Sequence, residues 1–117
     1  MAAPNIVGVT TITGKTAVQA VTTAATAIVS NGAASGKVFK VNALYVSNVD
    51  GANTANITVD LYRSSTPYRI AYTIDVPGDA ALDILTKAIY LEEGDSLRLT
   101  ASANSDLEAV CSYEEIS

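Results

Sequence analysis

Few residues of this chain have the types and spacing that catalysis or phosphate binding requires. Gly14-Lys15-Thr16 ends like a Walker phosphate loop, but that motif needs a glycine at the position of Val9, and Gly8 lies one residue too early. The chain has no histidine, which removes the commonest general acid or base and the commonest metal ligand. We therefore interpret Gly14 to Thr16 as a polar turn between two N-terminal strands.

The acidic side chains offer two further arrangements with chemical potential. A cation could be drawn to a small cluster in one predicted hairpin loop, formed by Glu92, Glu93 and Asp95. A glycosidase would need two carboxylates across a cleft, and the strand carboxylates available for such a pair are Asp60, Asp75 and Asp83. An oxygen cage for calcium needs six or more ligands, and outward charges on strands usually serve solubility. We expect a solvated loop and solubilising surface charges.

Cys111 is the single cysteine, so the chain cannot form an internal disulfide. As a nucleophile it would need a histidine partner, and none exists. The alternating pattern of the last strand places it on the inward set, as a small core residue. The sequence therefore predicts no catalytic, cofactor-binding or metal-binding residue, and it predicts a protein that is not an enzyme and has no cofactor.

The aromatic and basic residues suggest an interaction surface on two neighbouring strands, with the candidates Tyr62, Arg63, Tyr68, Arg69 and Tyr72. Tyrosine and arginine are the residue types that anchor protein interfaces. The three tyrosines could also form a sugar-binding platform. A third interpretation, tyrosines packed at the edges of the core, remains open at this point.

The elements that must position these residues are strands, because apolar and polar residues alternate with period two. The inward sets are Ile57, Val59 and Leu61; Tyr68, Ile70, Tyr72, Ile74 and Val76; Leu97, Leu99 and Ala101; and Leu107, Ala109, Cys111 and Tyr113. Residues 38–49 read as one long strand in which Asn48 marks a wetter position. Glycine-containing turns separate about seven or eight strands. The predicted fold class is all-β, a two-sheet antiparallel β-sandwich with jelly-roll or immunoglobulin-like topology.

The N-terminal region differs in composition from the rest. Residues 1–30 are rich in threonine and alanine and are interpreted either as strands of the sandwich or as an assembly arm; a helix over Thr16 to Val29 is the alternative that β-branched residues disfavour. Residues 31–117 form the sandwich body, so that the chain is a single domain overall. The N-terminus has no features of a signal peptide, which predicts synthesis in a cytoplasm.

Charge and hydropathy exclude further classes of partner. Twelve acidic against seven basic residues give a net charge of −5, which disfavours nucleic-acid binding. No stretch approaches the 18 consecutive apolar residues of a membrane span, so no membrane partner is expected.

Several stretches resemble the small virion proteins of tailed bacteriophages, in particular those of cyanophages and other marine phages. The resemblance lies in the opening residues 1–15, in 44–51 followed by 55–59, in 74–79, in 89–98, and in the ending 109–116. These motifs are strand-and-turn patterns, and they cover most of the chain.

The resemblance implies a non-enzymatic structural protein made in the host cytoplasm and built into the virion. The expected role is capsid decoration or cement, which holds neighbouring shell subunits together; a neck or tail accessory protein and a small carbohydrate-binding module are the alternatives. The expected partners are other virion proteins, such as the major capsid protein or neck and tail proteins, and further copies of the chain in a homo-oligomer. The resemblance carries over no catalytic or ligand residue.

Overall fold

A computed structural model describes residues 6–117 of the chain. A short 3-10 turn, Ile6–Gly8, precedes nine strands: β1 Ile12–Ala20, β2 Thr26–Ser30, β3 Val38–Asn48, β4 Ala55–Arg63, β5 Thr66–Val76, β6 Ala81–Asp83, β7 Ile89–Leu91, β8 Ser96–Ala101 and β9 Leu107–Ile116. Within this part of the chain there is no α-helix, and no helical segment that is long and apolar enough to span a membrane.

The strands form two antiparallel sheets packed face to face, which confirms the predicted β-sandwich. The first sheet has the order β1-β9-β3-β6, with β7 also paired to β3, and the second sheet has the order β2-β8-β4-β5. Together β6 and β7 fill the place of one strand beside β3. The resulting order is that of a jelly roll, the topology that the sequence left undecided against the immunoglobulin-like one.

The core lies between the sheets and follows the alternation of the central strands. Its largest fully buried side chains include Leu44, Ile57, Leu91, Leu97, Leu99 and Leu107. In β3 the pairing register shifts between Val41 and Ala43, so the buried set changes from odd-numbered Phe39 and Val41 to even-numbered Leu44 and Val46. A bulge of this kind bends the strand, and plain alternation does not predict it.

β1 and β2 pair with β9 and β8, so residues 12–20 and 26–30 form strands and not the alternative helix. The interpretation of Gly14 to Thr16 as a turn is wrong, because these three residues lie inside β1 and pair in register with β9. Whether an N-terminal segment acts as an assembly arm stays a prediction, and residues 1–5 lie outside the described part.

Two buried asparagines fix the loops at opposite ends of the sandwich. Asn31 donates from Nδ2 to the carbonyls of Lys37 and Leu91, at 2.9 and 3.0 Å. Asn48 donates from Nδ2 to the carbonyls of Asn53 and Val76, both at 2.8 Å. The prediction that Asn48 is a wetter position is wrong, since only 3% of the residue is exposed. Its buried amide instead forms hydrogen bonds that join the Asn53 loop to the end of β5.

Candidate interaction surface

The outer face of the second sheet carries a row of charges across three strands. Strand register places Asp60 of β4 opposite Arg98 of β8 and Arg69 of β5. Asp60 accepts hydrogen bonds from Nε and Nη2 of Arg98, at 2.9 and 3.3 Å, and Arg69 Nη1 lies 3.8 Å from its carboxylate. The Asp60 side chain is only 1% exposed. It is therefore an internal counter-ion for two arginines and not the free surface charge that the sequence predicted.

Two of the candidate tyrosines lie on this same face, and an arginine stacks on each. The Arg98 guanidinium lies 3.8 Å from the ring centroid of Tyr62, and that of Arg69 lies 5.1 Å from the centroid of Tyr72. Such cation–π contacts use the ring faces that a sugar would otherwise cover. This face brings together three of the five candidates: Tyr62, Arg69 and Tyr72.

Arg63 points elsewhere, to the loop at the end of the sandwich. It donates from Nε and Nη2 to the two carboxylate oxygens of Asp95, at 2.7 and 2.5 Å, and from Nη2 to Glu92 at 2.9 Å. The side chain of Asp95 is 2% exposed. The hydrogen bonds from Arg63, helped by the backbone N–H of Glu92, hold the pKa of Asp95 below its ordinary value despite burial.

Tyr68 of β5 lies on the opposite face of the second sheet from Tyr62 of β4. Register pairs it with Leu61, which packs against the core, whereas Tyr62 pairs with Pro67. Successive side chains of a strand alternate between faces. A single flat platform of Tyr62, Tyr68 and Tyr72 is therefore not formed, and that the five candidates serve in one interaction surface stays a prediction.

The predicted inward set of β5 is largely wrong. Val76 is buried, but Tyr68, Ile70, Tyr72 and Ile74 are 37–62% exposed. β5 is an edge strand whose pairing with β4 shifts register twice, and the backbone of Thr73 takes a φ of +47° at one of these irregularities. Bulges of this kind turn an edge away from regular pairing.

The acidic loop cluster and the single cysteine both have partners or burial within the protein. Of the acidic loop cluster, Glu92 and Asp95 bind Arg63, and Glu93 accepts a hydrogen bond from the Gly36 N–H at 2.7 Å. Burial raises the pKa of the Cys111 thiol to about 11, as expected for a core cysteine. Residues 6–117 contain no group of three or more metal-ligating side chains.

The outer face of the first sheet carries an exposed apolar row that was not predicted from the sequence. Register aligns Val18 of β1 with Val110 of β9, and Val110 with Tyr45 of β3. These side chains are 75%, 41% and 49% exposed, while their strand neighbours Cys111 and Leu44 are fully buried on the inner face. Contiguous apolar side chains on an outer sheet face mark interaction sites in folded proteins. We call Val18, Val110 and Tyr45 the apolar row.

Acidic side chains flank the apolar row. Asp83 of β6 is opposite Tyr45, and Glu108 lies two residues from Val110 on the same side of β9. Both carboxylates are exposed. A partner that covers the row would therefore be apolar at its centre with basic residues around it. The alternation of inward and outward residues around Val110 and Tyr45 was visible in the sequence. That Val18 lies beside Val110 follows only from the pairing of β1 with β9.

A network of ion pairs around the partly buried Glu115 ties β1 to the rest of the first sheet. Glu115 of β9 accepts from Lys15 Nζ at 2.9 Å and also binds Lys37. The hydrogen bond from Lys37 has the largest effect on the pKa of Glu115, followed by the one from Lys15, and together they hold this pKa below its ordinary value. Lys15 is thus a structural partner of Glu115 in a strand and not part of a phosphate loop.

Comparison with known proteins shows the fold and no family. No protein-family model matches the chain, and no curated protein is similar to it in sequence. A solved chain from work on Bacillus endospore appendages, described there as a novel family of disulfide-linked pili, has a TM-score of 0.55 and 13% identity. The match covers 90% of this chain and 85% of that one. At this identity the likeness concerns the β-sandwich alone.

Proposed function

We propose that this protein is a non-enzymatic structural protein of a bacteriophage particle, a capsid decoration or cement protein that holds neighbouring shell subunits together. The observation that carries the proposal is the apolar row. Three large side chains of the first sheet point away from the core, in register, on adjacent strands. Covering each of them would contribute about 1.5–3 kcal/mol at most, if it became fully buried.

The distribution of charge supports an assembly role over catalysis. In the described part of the chain the acidic side chains that are most buried, Asp60 and Asp95, are matched by arginines. These two carboxylates hold strands and loops in place through their arginine partners. Jelly rolls serve in viral capsids as well as in lectins, and many copies on a particle make a modest contact per subunit sufficient through avidity.

The test is binding to shells assembled from the major capsid protein of the same virus. Purified protein is mixed with the shells, the shells are sedimented, and the bound protein is quantified against its concentration. The wild-type chain should saturate at a fixed ratio to capsid protein. The variant Val110→Lys places a charge in the middle of the apolar row and should weaken binding by about tenfold or more, the equivalent of losing one buried valine.

The matched control is Val49→Lys, which alters a similarly exposed valine outside the apolar row. Val49 is 52% exposed and Val110 is 41% exposed, so both variants should fold like the wild type. Equal shell binding by the two variants would contradict the proposed use of the row. Lack of binding by the wild type to shells, with binding to neck or tail assemblies, would place the protein there instead.

The carbohydrate-binding alternative has one observation in its favour, the 62% exposure of Tyr72. A glycan screen with the wild type and the Tyr72→Ala variant tests it. Saturable glycan binding that the variant loses would support a lectin-like role.

A further inference from the structure

One edge of the first sheet differs from every other edge of the described sandwich. β1 pairs with β9 through nine consecutive residue pairs without a register shift, and its only charge is Lys15. The other edge strands are short or interrupted: β6 and β7 have three residues each, β2 has five and a shift, and β5 has two shifts. Long, regular and weakly charged edges are the ones that pair with another chain.

We propose that this edge binds a second copy of the same chain, with the two β1 strands antiparallel about a two-fold axis at Thr16. The inference rests on the structural role proposed above and names the contact between its copies. The first sheets of two molecules would join into one continuous sheet across the axis.

The hydrogen bonds to β9 establish which backbone groups of β1 remain available. Thr11 exchanges two backbone hydrogen bonds with Ser117, and the Val21 N–H donates to Leu107 at 2.9 Å. In an antiparallel ladder such pairs recur at every second residue. Odd-numbered residues of β1 therefore face β9 with their N–H and C=O groups, and the even-numbered residues 12–20 direct theirs to the open edge.

A two-fold axis at Thr16 matches this alternation. It pairs even residues with even residues, so that five pairs would form about ten backbone hydrogen bonds between the copies. It also uses all nine residues of β1. All five even-numbered residues of β1 are exposed, so the approach is open.

Side-chain size is complementary in the same register. Val18 of one copy lies opposite Gly14 of the other, and Ile12 lies opposite Ala20. Val18 and Ile12 are 75% and 56% exposed, and a Cβ built on Gly14 would meet no atom within 4 Å. Each large apolar side chain thus faces a small residue, the arrangement that lets two strand surfaces pack closely.

Charge favours this register over its neighbour. An axis at residue 15 would place the two Lys15 side chains directly opposite each other, which destabilises a strand pair. The axis at Thr16 sets each Lys15 opposite Ala17 and leaves it bonded to Glu115 of its own chain.

The test is oxidative cross-linking of the purified full chain. In Thr16→Cys, the two new cysteines would lie with their Cα atoms about 5.5 Å apart, within the range of a disulfide. The matched control is Ala20→Cys on the same face of the same strand, where the two sulfur-bearing residues would be about 27 Å apart. The buried Cys111 is present in both. Thr16→Cys should give a covalent dimer at least ~10-fold faster than Ala20→Cys.

A second variant tests the backbone contact itself. Thr16→Pro removes an N–H that faces the open edge and leaves the ladder to β9 intact. In sedimentation it should dissociate at a concentration about tenfold higher than the wild type, whereas Val110→Lys, on the sheet face, should still dimerise. A wild-type protein that stays monomeric at all concentrations, or equal cross-linking of the two cysteine variants, would overturn the proposal.

These measurements use no shells, so they separate the two proposals. Failed cross-linking with normal shell binding would overturn the β1 pairing alone. Efficient cross-linking of a protein that binds no shells, necks or tails would instead overturn the proposed function.

Discussion

Arg63 gives the sharpest test of the contacts that hold the sandwich ends in place. We consider Arg63→Met, which keeps an unbranched apolar side chain but removes the three hydrogen bonds that Arg63 donates to Asp95 and Glu92. The buried Asp95 carboxylate would keep only the Glu92 N–H, at 2.8 Å. A hydrogen bond to a charged group contributes about 1.5–3 kcal/mol. Arg63 itself is 42% exposed, so water replaces part of its contribution.

We therefore expect the free energy of unfolding to fall by about 1–3 kcal/mol in total at pH 7. The pKa of Asp95 is lower in the folded protein than in the unfolded chain. The stabilisation is thus fully present above the unfolded value near 3.9, and it is lost as pH falls through the folded value. The difference between wild type and variant should be largest at neutral pH and should shrink toward pH 2.

The assay is denaturant unfolding followed by far-ultraviolet circular dichroism, at pH 7 and at pH 3 or below. The matched control is Arg69→Met, because Arg69 is similarly exposed but lies 3.8 Å from its carboxylate partner. The Arg69→Met substitution should lower the free energy of unfolding by less than about 0.5 kcal/mol. A loss in Arg63→Met no greater than in the control, or one that is unchanged at low pH, would refute the reasoning.

Three further predictions concern the loops and the core. In Gly78→Ala the new Cβ would lie 2.9 Å from the Asp50 carbonyl oxygen, so this variant should lose about 1–3 kcal/mol of stability in thermal unfolding. In the control Gly32→Ala the new Cβ would meet no atom within 4 Å, so the loss should be less than about 1 kcal/mol. Asn48→Ala removes the hydrogen bonds to the carbonyls of Asn53 and Val76 and should lower the free energy of unfolding by about 1–3 kcal/mol in denaturant unfolding; a change near zero would contradict its bridging role. Cys111 should react with a thiol reagent at pH 8 only after unfolding, since burial raises its pKa to about 11; rapid labelling of the folded chain would show that the core is open there.

The parts of the fold that follow from alternation could be predicted from the sequence. Leu97, Leu99 and Ala101 are buried as expected, and so are Leu107, Ala109 and Cys111. The alternation of apolar and polar residues also predicted the two-sheet fold class correctly. Strand order could not be predicted, because it depends on pairings between residues far apart in the chain. The bulges of β5 turn Tyr72 to the outer face and away from the expected inward set, since a single extra residue changes the side that a side chain faces.

The candidate surface was harder to predict than the core. Arg63 and Arg69 look equivalent in the sequence, yet Arg63 reaches a loop carboxylate and Arg69 lies over the outer face of the second sheet. The apolar row was missed because Val18 lies in a segment of small residues whose neighbours are known only once β1 is paired with β9. Residue type indicated an interface, and register was needed to say where the exposed side chains meet.

The measurement that tests the central claim most directly is quantitative mass spectrometry of purified virus particles, with fractions of heads and of tails compared. We predict that this chain is present in a fixed ratio to the major capsid protein and is enriched with the heads. Its presence only in the unassembled fraction of the infected cell, with none in the particles, would contradict a structural role in the virion.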